Sequence, residues 1–301
     1  MSARLRGIAR ETAAITAEGR YRAPGGGVVD IGRQVAAAVA GTRLHGPGPV
    51  VPGPVVPGPV DPGPVAPGPA PVPGVREPAA PRVHVTGESS LQAARRMLTD
   101  SPEPVAVLDF ASARNAGGGF LNGAQAQEEA LCRASALHAC LRAVPEFYAA
   151  HRADPSPLYS DRVLHAPAVP VFRDDRGALL EEPYAVDFLV AAAPNAGAAA
   201  DRSPRLAARV PAVLRTRAER ALQTAAAHGL RRLVLGAWGC GVFRNDPARV
   251  AEAFRVHLAP GAPLAGRFTE VVFAVLDPRP GSPVREAFRT AFPGPQQQPT
   301  R

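Results

Sequence analysis

The sequence contains no lysine. Its 34 basic side chains of the lysine/arginine class are all arginine, set against 26 acids, for a formal net charge of +8. Arginine in place of lysine, with abundant alanine, glycine and proline, matches the coding bias of a GC-rich genome. The charge therefore supports a solvated basic surface or an attraction to polyanions, and nothing sharper. No basic run is interleaved with aromatics, so sequence-specific nucleic-acid readout is not expected. Cysteine is scarce: Cys132, Cys140 and Cys240 form an odd set without paired spacing, which excludes a disulfide framework. Cys-x-x-Cys and His-x-x-x-His are missing, so neither a metal nor a cofactor is expected. The sequence has no 18-residue apolar run, and its first residues lack an apolar signal core. The expectation is a soluble, cytoplasmic protein that does not associate with membranes.

What is present begins with a five-residue repeat. Residues 47–73 hold twelve prolines in 27 positions, as PGPVV units and variants. Such a segment cannot form a backbone ladder or bury a core, and reads as an extended linker. The chain thus divides into an N-terminal helical element (1–46), a Pro/Gly-rich disordered linker (47–80), one large domain (81–280) and a partly disordered tail (281–301). An amphipathic helix is expected over 3–19, with Leu5, Ile8, Ala9, Thr12 and Ile15 on one face, and a second over 31–44.

Beyond the linker, strands alternate with helices. Val83–Val85, Val105–Phe110, Asp187–Ala192, Leu233–Leu235 and Val271–Val275 read as strands. Val163–Phe172 reads as two short pieces, interrupted by Pro167 and Pro170. Helices are expected from Ser89 or Ser90 to Leu98, Gln125 to Arg142, and Pro204 to His228 with Gly229 as left-handed cap. A fourth runs from Asp246-Pro247 to Leu258. This order indicates a layered α/β domain with a mainly parallel sheet, whose ligand lies beyond the strand C-termini.

Two glycine-rich loops follow buried strands: Asn115–Gly123 and Gly236–Asn245. Each precedes a helix, and each is either a tight turn or a cradle of backbone N–H groups for phosphate. Neither has the Gly-Lys-Ser/Thr of a nucleotide-binding P-loop or the spacing of a dinucleotide fingerprint. Glu128 and Glu129 fall in the first turn of the helix after the first loop, where acids suit the helix dipole. Neighbouring helical residues diverge by about 100°, so the two carboxylates cannot face each other as a glycosidase pair does. If they do chemistry, one transfers protons and the other positions substrate. Cys240 lacks an adjacent base and reads as packing. Trp238 reads as packing or cleft wall, His138 as a helix-surface residue, and Asn195 as a turn or cleft residue.

Gly117-Gly118-Gly119, seven residues, then Gln127-Glu128-Glu129 resembles the signature of poly(ADP-ribose) glycohydrolases. The flanking words LDFASARNAGGGF, LYSD, VPVFRDD, PNAG and VLGAWGCGVFRND resemble the microbial type, as do IARET and GRY ahead of the repeat. That resemblance implies a macrodomain-like three-layer α/β/α fold that hydrolyses ribose–ribose bonds of poly(ADP-ribose), with ADP-ribose as product ligand. It implies that Glu129 is the acid/base, that Glu128 hydrogen-bonds ribose hydroxyls, and that Gln127 is among the substrate-binding residues. Asn115, Gly117, Gly118 and Gly119 would surround that ribose. Gly239, Cys240, Gly241, Val242 and Phe243 would wrap the diphosphate, Phe243 packing on a ribose, and Asn245 would also bind substrate. A binding module without turnover, and a hydrolase of single ADP-ribosyl groups on protein or nucleic acid, are the alternative functions. A helix N-terminus favours an ionised carboxyl, whereas a general acid must carry a proton, so substrate binding is expected to complete protonation.

Overall fold

A strand that is apolar at every position needs cover on both faces, and Val105–Phe110 receives it. The computed structural model describes residues 2–48 and 80–293. Residues 49–79, which hold most of the repeat, and the tail from 294 lie outside the described residues, and so do the linker and disorder expectations placed on them. The N-terminal part comprises α1 (Ala3–Glu18), β1 (Arg20–Arg22), β2 (Val28–Asp30), α2 (Gly32–Gly41) and β3 (Arg43–His45). After the repeat come β4 (Arg82–Thr86), α3 (Ser90–Asp100), β5 (Val105–Phe110), α4 (Gln127–Ala134), α5 (Leu137–Arg142) and α6 (Pro145–Ala153). The chain continues through β6 (Val163–Arg173), β7 (Leu179–Ala191), α7 (Ala196–Arg202), α8 (Pro204–Ala207) and α9 (Val210–Ala227). It closes with β8 (Arg232–Gly236), α10 (Pro247–Leu258), β9 (Glu270–Ala274) and α11 (Pro283–Ala291).

Seven strands form one sheet in the order β3-β6-β7-β5-β8-β9-β4. The run from β7 to β4 is parallel, while β6 is antiparallel to both its neighbours. Alternation along β5 sorts the two cores: Val105 and Val107 join residues of α1–α6, whereas Ala106 and Leu108 join residues of α7 and α9–α11. The expected α/β/α layering with a mixed, mainly parallel sheet is what forms.

Several boundaries differ from the sequence reading, each for a local reason. The expected helix 125–142 breaks after α4 because Ser135 is extended, bridges to Val171 and turns its hydroxyl onto Leu131 O at 2.7 Å. Val163–Arg173 is one strand, not two: a bulge between Ala166 and Val169 absorbs Pro167, and Pro170 lies past the stretch that β3 pairs. The N-terminal part is more than helices, since β3 forms an edge strand and Ala9, Thr12 and Ile15 of α1 are buried. The expected division at residue 280 precedes α11, whose Phe288 is fully buried, so the packed domain continues through that helix. Gly229 does take the left-handed cap, at φ +70°, and Asp246 caps α10 by accepting from Arg249 N at 2.9 Å.

The β3 edge carries a histidine cluster that makes the fold acid-sensitive. His45 and His228 share a 3.0 Å Nε2···Nε2 hydrogen bond, so at least one of them is neutral. The His165 ring lies 3.9 Å from that of His228 and bonds Asp187 at 2.7 Å. Burial, then the neighbouring cations, pushes His45 down to about 4; burial and His165 do the same to His228, with Asp187 opposing. Both histidines therefore protonate more readily when unfolded. Their stabilisation is complete above their ordinary value near 6.5 and is lost as pH falls toward 4. The melting temperature should drop across that window, and His45→Gln should flatten the drop. A variant with the wild-type slope would remove His45 from the account.

Candidate active site

The two glycine loops leave the same sheet edge side by side, because β5 and β8 are hydrogen-bonded parallel neighbours. In the first, Gly117 (φ +69°) and Gly118 (φ +55°) adopt left-handed backbone, which Cβ-bearing residues resist. The turn closes through Gly118 N to Asn115 O and Phe120 N to Gly117 O, both 3.0 Å. A short 3-10 turn, Phe120–Asn122, then leads toward α4.

Close approach explains the glycines. A Cβ on Gly118 would lie 2.5 Å from Glu129 Oε1 and 3.0 Å from Glu128 Oε2. The backbone instead grips both acids. Gly119 N–H donates to Glu129 Oε1 at 2.8 Å, and Ser112 N–H donates to Glu128 Oε2 at 2.7 Å. Glu128 and Glu129 are only 3% and 8% exposed, yet Glu128 Oε1 and Glu129 Oε2 have no hydrogen-bond partner among the described residues.

A third acid completes the cluster. Asp109, at the end of β5, is fully buried with neither carboxyl oxygen partnered among the described residues. Burial and the Glu129 charge push its carboxyl well above the usual range. Burial and Asp109 raise Glu128 likewise, against the N–H groups of Ser112 and Gly117. Carboxylates crowded into a low-dielectric cradle resist ionising together, so the site favours the protonated forms of Asp109 and Glu128. The sequence reading does not single out Asp109. Its signal is nonetheless there: one acid inside an apolar strand that ends at a glycine loop. Tyr148 escapes it too; its buried hydroxyl is raised above its ordinary range by burial and then by Glu128 and Asp109.

Other expected site residues divide into those at the cleft and those behind it. Asn115 is exposed at the loop edge, with Gly118 and Gly119 beside the acids. Gln127 is committed to the scaffold: its Oε1 accepts from Phe110 N at 2.9 Å, and its Nε2 donates to Leu108 O at 2.8 Å and Ser90 Oγ at 3.1 Å. It pins α4 to β5 and has no amide left for a ribose. His138 is half-buried, not a surface residue, its ring 4.9 Å from Phe120.

In the second loop Val242 is 85% exposed and Phe243 is half-buried, with the Tyr159 ring 5.7 Å away. Among the described residues nothing accepts from the N–H groups of Gly239, Gly241, Val242 or Phe243. Such unengaged amides at a loop suit an anion. Asn245 differs from expectation: it is buried, and its Nδ2 donates to Pro194 O at 2.8 Å and Gly239 O at 3.1 Å. It therefore holds the loop's shape and does not offer donors to a ligand. Trp238 is core, with Nε1 on Ala191 O at 2.9 Å, and Asn195 caps α7. Burial pushes the Cys140 thiol up to about 11 and the Cys240 thiol up to about 12, and raises Cys132 as well, so none offers a thiolate nucleophile at neutral pH. A polar hollow of about 500 Å³ at the other end of the sheet is a structural joint, where Arg232 ties β8 to Met97 O at 2.6 Å.

The family described as microbial-type PARG, catalytic domain (PARG being poly(ADP-ribose) glycohydrolase), matches residues 9–174, which include the first glycine loop and all three acids. The chain is similar to the crystal structure of poly(ADP-ribose) glycohydrolase from Thermomonospora curvata, at 48% identity over 97% of this chain and 100% of that one, with a TM-score of 0.83. The same figures hold for that enzyme bound to the inhibitor ADP-HPD. The Deinococcus radiodurans enzyme in complex with ADP-ribose is 39% identical over 88% of this chain and 98% of that one, with a TM-score of 0.72. No curated protein sequence matches the chain.

Proposed function

The chain belongs to the microbial-type poly(ADP-ribose) glycohydrolase family, and from that premise we propose how its own residues divide the reaction. It is a glycosidase that hydrolyses the ribose–ribose O-glycosidic bonds of poly(ADP-ribose) and releases ADP-ribose. The amides of Gly241, Val242 and Phe243 receive the diphosphate, and Phe243 packs on the adjoining ribose. Glu128 accepts hydrogen bonds from ribose hydroxyls. Glu129 gives a proton to the leaving ribose oxygen as the C–O bond breaks toward an oxocarbenium-like centre. It then takes a proton from the water whose oxygen bonds to that carbon. Asp109 and Glu128 keep protons within reach of Glu129.

One observation carries this assignment. Glu129 is oriented through Oε1 by Gly119 N–H, while its second oxygen is buried without a partner among the described residues. That is an oriented carboxyl with one oxygen left for proton transfer. Incubating the protein with polymer, and separately with mono-ADP-ribosylated protein, and following ADP-ribose release tests the substrate class. Release from polymer is expected; release only from the mono-modified substrate would overturn it.

No group of three or more His, Cys, Asp or Glu among the described residues is arranged to hold a metal ion. Turnover should accordingly persist in EDTA; loss in EDTA with recovery on adding a divalent ion would contradict the two-glutamate account. Among the described residues no helix is long and apolar enough to cross a membrane. The three cysteines are free thiols, which suits a reducing cytoplasm. The arginine-borne excess charge favours encounter with a polyanionic polymer.

A further inference from the structure

A loop built on Gly117, Gly118 and Gly119 has few side chains with which to fix itself. Its rigidity must come from neighbours, because catalytic geometry tolerates little slack. The neighbours can be traced. Gly119 N–H meets Glu129 Oε1 at 2.8 Å. Gly119 O accepts from Ala124 N at 3.2 Å. Ala124 O in turn accepts from Nη1 of Arg133. Arg133 stands one turn beyond Glu129 on α4, and residues at i and i+4 share a helix face. The path therefore closes on itself: Glu129 carboxylate, Gly119, Ala124, Arg133, and one helical turn back to Glu129.

The circuit is anchored from outside. Arg133 O accepts from Thr12 Oγ1 at 2.7 Å, and that hydroxyl accepts from Arg173 Nε at 2.9 Å. Thr12 and Arg173 are 1% and 3% exposed. Arg173 also pairs with Glu11 at 2.8 Å, so α1, β6 and the end of α4 meet in one buried polar joint. The start of α1 covers the far end of the loop, where a Cβ on Gly123 would lie 2.6 Å from Ser2 O.

From this geometry we propose that Arg133 is a positioning residue for hydrolysis: its guanidinium fixes the loop that orients the Glu129 carboxyl, and the joint at Thr12 extends that restraint to the N-terminal helix. The proposal rests on the assignment of Glu129 as acid/base. The guanidinium is half-buried, and the Glu129 charge opposes the downward push of burial on it. Arg133 is nearly two turns from the start of α4, and among the described residues it makes no hydrogen bond or ion pair with a residue assigned to the diphosphate. Its loss should therefore loosen the acid without emptying the cleft.

The test uses the full chain and the variants R133M, R133K and E129Q, with polymer turnover, ADP-ribose affinity and melting temperature measured on each. R133M should lower kcat about tenfold or more while KM and the ADP-ribose Kd stay within about threefold; R133K should recover most of the loss. An R133M chain at full speed overturns the proposal. So does one in which kcat, affinity and melting temperature fall together and R133K falls equally, since that is a general structural role. An inert wild type, or an E129Q chain as fast as wild type, overturns the underlying assignment and this proposal with it. An active wild type with an inert E129Q and an unimpaired R133M overturns this proposal alone.

Discussion

Glu129→Gln should reduce polymer turnover by about 10² to 10⁴, the usual cost of losing a positioned general acid/base, and should leave ADP-ribose bound with near wild-type affinity. The amide keeps the shape of the carboxyl, and its Oε1 can still accept from Gly119 N–H, which holds Glu129 at 2.8 Å. What it lacks is a proton to give and a charge to take one back. The fold should not suffer. The Glu129 charge is one of the two causes raising Asp109, so removing it relieves a buried carboxyl. Turnover by stopped polymer digestion, affinity by calorimetry and melting by circular dichroism separate these effects. A folded Glu129→Gln chain that digests polymer at the wild-type rate would sink the acid/base role.

The parts of this site that arise from local pattern were legible in the sequence. Periodicity and caps located α1, α3, α10 and the C-terminal end of α9, because amphipathic spacing, Ser89, Asp246-Pro247 and Gly229 act within a turn of themselves; the single helix expected from Pro204 is instead split into α8 and α9. The apolar runs located β5 and β8, and the two glycine loops after them fixed where the cleft lies. What could not be read depends on partners distant in sequence. Ser135 ends α4 only because β6 presents Val171 to it and the Pro170 carbonyl to Ala136 N–H. Gln127 sits in a signature that reads as substrate contact, yet its amide is consumed by Leu108, Phe110 and Ser90, whose positions fold topology alone supplies. Asn245 is similar: an asparagine in a glycine loop reads as a ligand donor until Pro194, 51 residues away, takes its hydrogen.

Asp109 changes the account of the proton. A helix N-terminus favours ionised carboxyls, and on that ground alone Glu128 and Glu129 would both be charged at rest. For Glu128 burial outweighs the dipole. Three acids meet in one cradle with few donors: Ser112 and Gly117 for Glu128, Gly119 for Glu129, and nothing among the described residues for Asp109. Burial thus favours the protonated forms of Asp109 and Glu128.

Gly118→Ala should cost about 10² in kcat with little loss of fold. Two effects combine. The residue sits at φ +55°, where a side chain costs roughly 1–2 kcal/mol. The new Cβ would also stand 2.5 Å from Glu129 Oε1 and 3.0 Å from Glu128 Oε2. Those neighbours are the free ends of side chains, not backbone, so they yield instead of breaking the fold. In yielding, Glu129 leaves the Gly119 N–H and both acids lose their common register. Gly229→Ala supplies the control, since Gly229 has φ +70° but nothing within 4 Å of its would-be Cβ. The two variants should melt at similar temperatures below wild type, and only Gly118→Ala should lose turnover. If both kept the wild-type kcat, the triple glycine would be a turn and nothing more, and the close contact between loop and acids would have no part in the reaction.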